Sequence, residues 1–162
     1  MQIAVVSDIH DNLDALAAML RRVQSAEALI CCGDLCSPFT AKELGMGFPG
    51  PVHVVFGNND GDRWRIAANA AKRPNLRFHG EYAELEFAGR RFAVQHFDNI
   101  GRAIAAGGAY DVVCFGHNHR SEISRSGRAL IVNPGELFGK LSGRSTFALI
   151  DPESLEAEIV EL

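Results

Sequence analysis

Five apolar runs in this chain each end in a short polar cluster of Asp, His or Asn, and this repeated transition restricts the folds open to it. The runs are Ile3–Val6, Ala28–Cys32, Val52–Phe56, Phe92–Val94 and Val112–Phe115. The clusters that follow are Asp8-Ile9-His10, Gly33-Asp34, Gly57-Asn58-Asn59-Asp60, His96 and Gly116-His117-Asn118-His119. Short β-branched and apolar runs bounded by Gly and polar residues read as buried strands. Open α/β sheets bind ligands at the carboxyl ends of their strands, so these clusters predict one convergent pocket.

The first half of the chain alternates strand and helix. Asn12 is placed to cap a helix in which Leu13, Leu16, Ala17, Leu20 and Val23 recur at helical spacing. Shorter helices are expected over Thr40–Leu44, before a Gly45–Pro51 loop, and over Arg63–Ala71, before Pro74. The second half is β-rich. Hairpins are expected for Tyr82–Phe87 with Arg90–Gln95, Ser121–Arg125 with Ala129–Val132, and Thr146–Ile150 with Leu155–Val160. A helix is expected over Ile100–Ala106. A βαβ half followed by a β-meander predicts an α/β chain with two packed sheets and helices outside.

The 162 residues suit a single domain, 1–162, and no stretch approaches the length of a membrane span. The chain enters a strand with no basic leader or cleavage site, so the expected location is cytoplasmic, with no membrane partner. A formal net charge of −4 argues against binding long nucleic acid. Cys31 and Cys32 are strand neighbours that point to opposite faces, and Cys32 with Cys36 lacks the second half of a zinc framework. The four cysteines therefore read as reduced thiols, with Cys36 at the border of the pocket.

The clusters mix oxygen and imidazole donors without a thiolate, which suits Mn, Fe, Zn, Co or Ni better than Ca or Mg. In an extended segment residues i and i+2 face one way, so Asp8 and His10 aim at one point while Ile9 returns to the core. His117 and His119 repeat the device with Asn118 turned away. Two ions about 3.5–4 Å apart would suit in-line displacement at phosphorus by a hydroxide held between them.

The ordered series Asp-x-His, Gly-Asp, Gly-Asn-Asn-Asp, His and Gly-His-Asn-His resembles the calcineurin-like metallophosphoesterase superfamily. With Ser7-Asp8-Ile9-His10-Asp11-Asn12 and Asn133-Pro134-Gly135, and no insertion, it resembles the small YfcE-type phosphodiesterase branch, from Met1 to about Gly135. The resemblance implies a four-layer α/β/β/α sandwich of two mixed sheets flanked by helices. It implies a first metal on Asp8, His10, Asp34 and His119, and a second on Asp34, Asn58, His96 and His117, with Asp34 as the bridge. Manganese comes first among the implied ions, with Fe, Zn, Ni or Co after it, and the implied substrate is a small phosphate ester. Dimers or tetramers are implied as self-association states.

Three positions depart from the family pattern. Asn59 stands where many members have a His, His96-Phe97-Asp98 stands for His-Gly-His, and Glu136 stands for Ser after Asn-Pro-Gly. Asn58 and Asn59 are the expected stabilisers of the phosphoryl oxygens, and Asn59 and Asp98 the expected substrate contacts. Asn59 supplies no proton at neutral pH, so poor leaving groups should react slowly. The rival reading is a metal-binding scaffold with little turnover, as the retromer subunit of this fold illustrates. It is disfavoured because no ligand of the series is missing. Asp60 reads as a supporting hydrogen-bonding residue, and His53 and His79 as structural.

Overall fold

The computed structural model describes residues 1–162. A first sheet has the order β11-β10-β1-β2-β3-β4, and a second the order β5-β6-β7-β9-β8. In the first, β1 (Ile3–Val6), β2 (Ala28–Cys31), β3 (Val52–Val54) and β4 (Leu76–Phe78) run parallel, and β10 (Thr146–Asp151) and β11 (Glu156–Glu161) close it antiparallel. In the second, β6 (Arg90–Gln95), β7 (Val112–Cys114) and β9 (Ala129–Pro134) are parallel, with β5 (Tyr82–Phe87) and β8 (Ser121–Ser126) antiparallel at the edges.

Strand alternation divides the apolar residues into three cores. Ile3, Val5, Ile30 and Cys32 meet Phe92, Val94, Val112 and Val132 between the sheets. Ala4, Val6, Leu29 and Cys31 turn outward against Leu16, Met19, Leu44 and Ile66 of the helices on the first sheet. Ala93, Val113 and Ile131 meet Ala105 of a helix on the second. The layers are therefore α/β/β/α, and Cys31 and Cys32 do face opposite ways, both as free thiols. No helix is long and apolar enough to cross a membrane.

The helices form where their caps allow. In α1 (Leu13–Arg22) the Asn12 side chain accepts from Ala15 N–H, and Asp14 and Arg21–Arg22 suit the two ends of the dipole. The helix expected over 40–44 is longer, α2 (Pro38–Gly47). Ser37 caps it, and Pro38 fits the first turn, where its missing N–H is not needed. The third, α3 (Arg63–Ala70), is capped by Asp62. The fourth, α4 (Asp98–Ala106), begins two residues before its expected start.

Three expectations need correction. The second half is not a meander, because α4 carries the chain across from β6 to a parallel β7, and β9 adds parallel beside it. Leu155 lies in the last turn rather than in β11, and Ser126 belongs to β8. The three-residue β4 had no readable pattern of its own; its place comes from pairing Leu76–Phe78 with Val52–Val54.

Candidate metal centre

Because β1, β2 and β3 are parallel in one sheet, and β6 and β7 in the other, their carboxyl ends open at a common edge. There Asp8 Oδ1 of the first sheet lies 3.4 Å from His119 Nε2 of the second, and Asp34 Oδ2 lies 3.4 Å from His96 Nε2. His10 Nε2 stands 3.7 Å from both Asp8 Oδ1 and Asp34 Oδ2. Two groups result, Asp8–His10–His119 and Asp8–Asp34–His96.

The backbone reaches this arrangement through turns, not through the extended alternation expected. Asp8, His10, Asp34, His117 and His119 all have φ between 43° and 71°. Asp11 and Cys36 share this left-handed conformation, and outside these loops only Ala88 and Leu155 do among non-glycine residues. Each such residue costs about 1–3 kcal/mol, a strain typical of functional loops held by their surroundings. Ile9 is fully buried, as expected.

Close approach adds a second constraint. A Cβ on Gly57 would collide with the Asp34 carboxylate, and one on Gly116 would collide with Ser7 Oγ and crowd Asp8. Asp60 pins two of the loops together, since its carboxylate accepts from the backbone N–H groups of Gly57 (2.7 Å), Cys36 (2.8 Å) and Asp34 (3.2 Å).

Each of three imidazoles has its Nδ1 engaged behind the site. His96 Nδ1 meets the Cys32 carbonyl at 2.8 Å, His119 Nδ1 meets Glu136 Oε2 at 2.8 Å, and His10 Nδ1 meets Cys36 Sγ at 3.4 Å. With a proton on Nδ1, each Nε2 turns a lone pair toward carboxylate oxygens, and for His96 also toward Asn58 Oδ1 at 2.9 Å. Asp8 Oδ1 and His10 Nε2 are buried with no hydrogen-bond partner. Acceptors facing acceptors call for a cation. Two ligands about 2.1 Å from one tetrahedral ion lie about 3.4 Å apart, close to the separations here, so the residues fit a metal.

The Asp8 carboxylate, aided by Cys36 and opposed by burial, raises the pKa of His10 to about 10. Burial disfavours the Asp34 carboxylate, yet hydrogen bonds from His96 and Asn59 outweigh it and hold Asp34 well below the usual range. Burial disfavours protonated His96 too, but the Asp34 and Asp8 carboxylates raise its pKa overall.

The family model for the calcineurin-like phosphoesterase superfamily domain matches residues 1–155. The chain belongs to that superfamily. It is 29% identical over 160 residues to the phosphodiesterase MJ0936 of Methanocaldococcus jannaschii, with 96% of each chain covered. A solved archaeal phosphodiesterase superposes with a TM-score of 0.93 at 28% identity, over 100% of both chains. YfcE, a phosphoesterase from E. coli, superposes at 0.70 with 17% identity, over 99% of this chain and 98% of that one, and shows the shared fold. The chain thus falls in the small phosphodiesterase branch, and phosphoester hydrolysis is the chemistry of its family.

Among the family-predicted ligands, Asp8, His10, Asp34, His96 and His119 come together in the two groups, and Asn58 touches His96. Asp8, and not Asp34, is common to both groups. His117 stands apart from them, its ring edge-on to His96 and Phe97 at 5.1 and 4.9 Å. Asn59 is exposed and tied to Asp34, donating its backbone N–H to Oδ1 and its Nδ2–H to Oδ2, both at 2.8 Å. Asp98 accepts from Asn118 Nδ2 at 3.2 Å, and Asn118 Oδ1 in turn accepts from Asn133 Nδ2 at 2.9 Å. Residues the sequence did not single out as partners of ligands include Glu136, behind His119, and Phe138, whose ring lies 5.4 Å from His10. An acidic residue after Asn133-Pro134-Gly135 was the available signal for the first, and Phe138 offered none.

Proposed function

We propose that the chain hydrolyses small phosphate esters, diesters before monoesters, with two divalent ions held where the loops of the two sheets meet. One observation carries the reading: three imidazole Nε2 atoms converge on the carboxylates of Asp8 and Asp34, each 3.4 or 3.7 Å from an oxygen. We assign Asp8, His10, Asp34 and His119 to one ion, and Asp34, Asn58, His96 and His117 to the other. Manganese is the first choice, with Fe, Zn, Ni and Co also matching the mixed donors. Such ions, when bound, bring the pKa of water from ~15.7 toward ~7 and draw charge from phosphoryl oxygens.

The protein's own groups do the rest. Asn58 and Asn59, both exposed, are assigned to the equatorial oxygens as charge develops there, Asn59 through the Nδ2 hydrogen that it does not give to Asp34. Asp34 is kept ionised by Asn59 and His96, ready for a cation rather than a proton. Asp98 is assigned to the substrate side. No imidazole occupies position 59, so protonation of the leaving group falls to water, and esters of acidic alcohols should react best. Four unpaired thiols suit a cytoplasmic setting, and self-association as a dimer or tetramer completes the proposal.

The test is hydrolysis of bis-p-nitrophenyl phosphate by stripped protein reloaded with Mn²⁺, beside Asp34→Ala and beside an alkyl diester. Turnover that requires both the ion and Asp34, and that favours the nitrophenyl ester, is the expected result. No turnover with Mn, Ni, Co or Zn, with two ions verifiably bound, would overturn the reading in favour of a scaffold. Equal relative rates on the two esters would overturn the leaving-group argument.

A further inference from the structure

Behind the predicted ligands lies one fully buried acid, Glu136. Both of its oxygens are engaged by donors. Oε2 accepts from His119 Nδ1–H at 2.8 Å, and Oε1 accepts from Leu141 N–H (3.0 Å), Ser142 N–H (2.5 Å) and Ser142 Oγ–H (2.7 Å). One carboxylate therefore faces a predicted ligand with one oxygen and a surface turn with the other.

The first oxygen has a chemical consequence. Accepting a hydrogen bond from Nδ1–H keeps the proton on Nδ1 and leaves the Nε2 lone pair of His119 directed to Asp8 Oδ1, 3.4 Å away. A carboxylate behind a ligating imidazole selects this tautomer and makes the ring a better donor to a cation. The second oxygen has a structural one. It gathers the turn between Gly139 (φ +72°) and Gly143 (φ +80°), which carries the exposed Leu141. The segment leading into that turn is bound to the Asp8–His10 loop. Leu137 N–H donates to Ser7 O (3.1 Å), Phe138 N–H donates to Asp8 O (2.9 Å), and Asn12 Nδ2 donates to Phe138 O (2.8 Å). None of these bonds reaches Asn58, His96 or His117.

We propose that Glu136 is a positioning residue for one half of the site only, acting through His119 on the ion shared by Asp8, His10 and Asp34. Through its other oxygen it makes the order of the 139–143 turn depend on the same carboxylate. The inference rests on the two-ion reading above, and it assigns a role to the residue at which this chain departs from the Asn-Pro-Gly-Ser pattern of its branch. A purely structural clamp on the turn would predict loss of stability alone.

The test uses Zn²⁺ as a diamagnetic probe. Stripped wild-type protein, Glu136→Gln, Glu136→Ser and Ser142→Ala are titrated calorimetrically, and histidine ring nitrogens are followed by ¹⁵N NMR. In Glu136→Gln one of the two ions should bind about 10–100-fold more weakly while the other changes by less than roughly twofold. The His119 ring should pass from a single Nδ1–H tautomer to a mixture in both Glu136 variants. Ser142→Ala, which keeps the His119 partner, should leave both affinities and the tautomer as in wild type. Wild-type affinities and an unchanged tautomer in both Glu136 variants would overturn the proposal. So would equal weakening of both ions accompanied by a lowered melting temperature. If wild-type protein itself takes up fewer than two ions, the two-ion reading fails, and the His119 tautomer still decides whether Glu136 positions that ring.

Discussion

Replacing Asp60 by alanine should loosen the loop after β2 from the loop after β3, because a single buried carboxylate joins them. Three backbone N–H groups, those of Gly57, Cys36 and Asp34, donate to it at 2.7, 2.8 and 3.2 Å. Leaving a buried donor without its partner costs about 1–3 kcal/mol, so three of them set an upper range of about 3–9 kcal/mol. Two effects reduce it. The vacated space, on the order of 30 Å³ or more, admits a water that recovers one or two of the bonds. Removing the carboxylate also lifts the burial that raises the pKa of Asp60 and disfavours its charge. We expect a net loss of about 3 kcal/mol, which at ~2–4 °C per kcal/mol for a chain of this size lowers Tm by roughly 6–12 °C. Asp60→Asn should fall less, because one oxygen still accepts while its amide nitrogen faces an N–H. The assay is thermal unfolding of metal-stripped protein followed by circular dichroism. A drop under about 2 °C for Asp60→Ala would refute the reasoning, since those N–H groups would then find partners without the side chain.

Gly116→Ala introduces a methyl that collides with Ser7 Oγ and crowds Asp8 Oδ2, so it should cost about 1–3 kcal/mol and weaken Zn²⁺ binding. Wild-type melting and titration curves would show that these loops yield freely. Burial, assisted by His79 and Arg77, lowers the pKa of His53 from 6.5 to about 4. The unfolded chain therefore takes up this proton first, and stability should fall as pH drops from 6.5 toward 4. For a half-buried ring that loss is about 1–2 kcal/mol after solvent screening. In stripped protein, His53→Asn should flatten stability over that window, and an unchanged slope would remove His53 from the account.

Much of the centre was legible because its chemistry is local. Asp8, His10, Asp34, His96 and His119 lie within four positions of the ends of apolar runs, and the carboxyl end of a buried strand is where a parallel sheet leaves side chains free to meet a ligand. The reason they point together was not legible. Spacing of two suggested an extended segment, yet Asp8, His10, His117 and His119 adopt left-handed turns, which Asp and His tolerate better than most residues but do not signal in a sequence. Asp60 was readable as a support because it closes the Gly57–Asp60 cluster, although two of its three donors, Cys36 and Asp34, lie 24 and 26 positions away in another loop.

Sequence alone determined the elements with strong patterns, the hairpin of β5 and β6 at its full bounds, and the residue types that would meet at one edge. These depend on periodicity and capping within a few positions. Tertiary structure decided what depends on distant neighbours. The short β4 exists through pairing with β3, and β10 returns 140 residues later in sequence to lie antiparallel beside β1. Asn59 turns onto Asp34 instead of standing free, and Glu136 meets His119 across 17 positions. Hydrogen-bond partners of a polar side chain are settled by whichever donors the packed layers bring within reach, and that choice is made only when the two sheets close on each other.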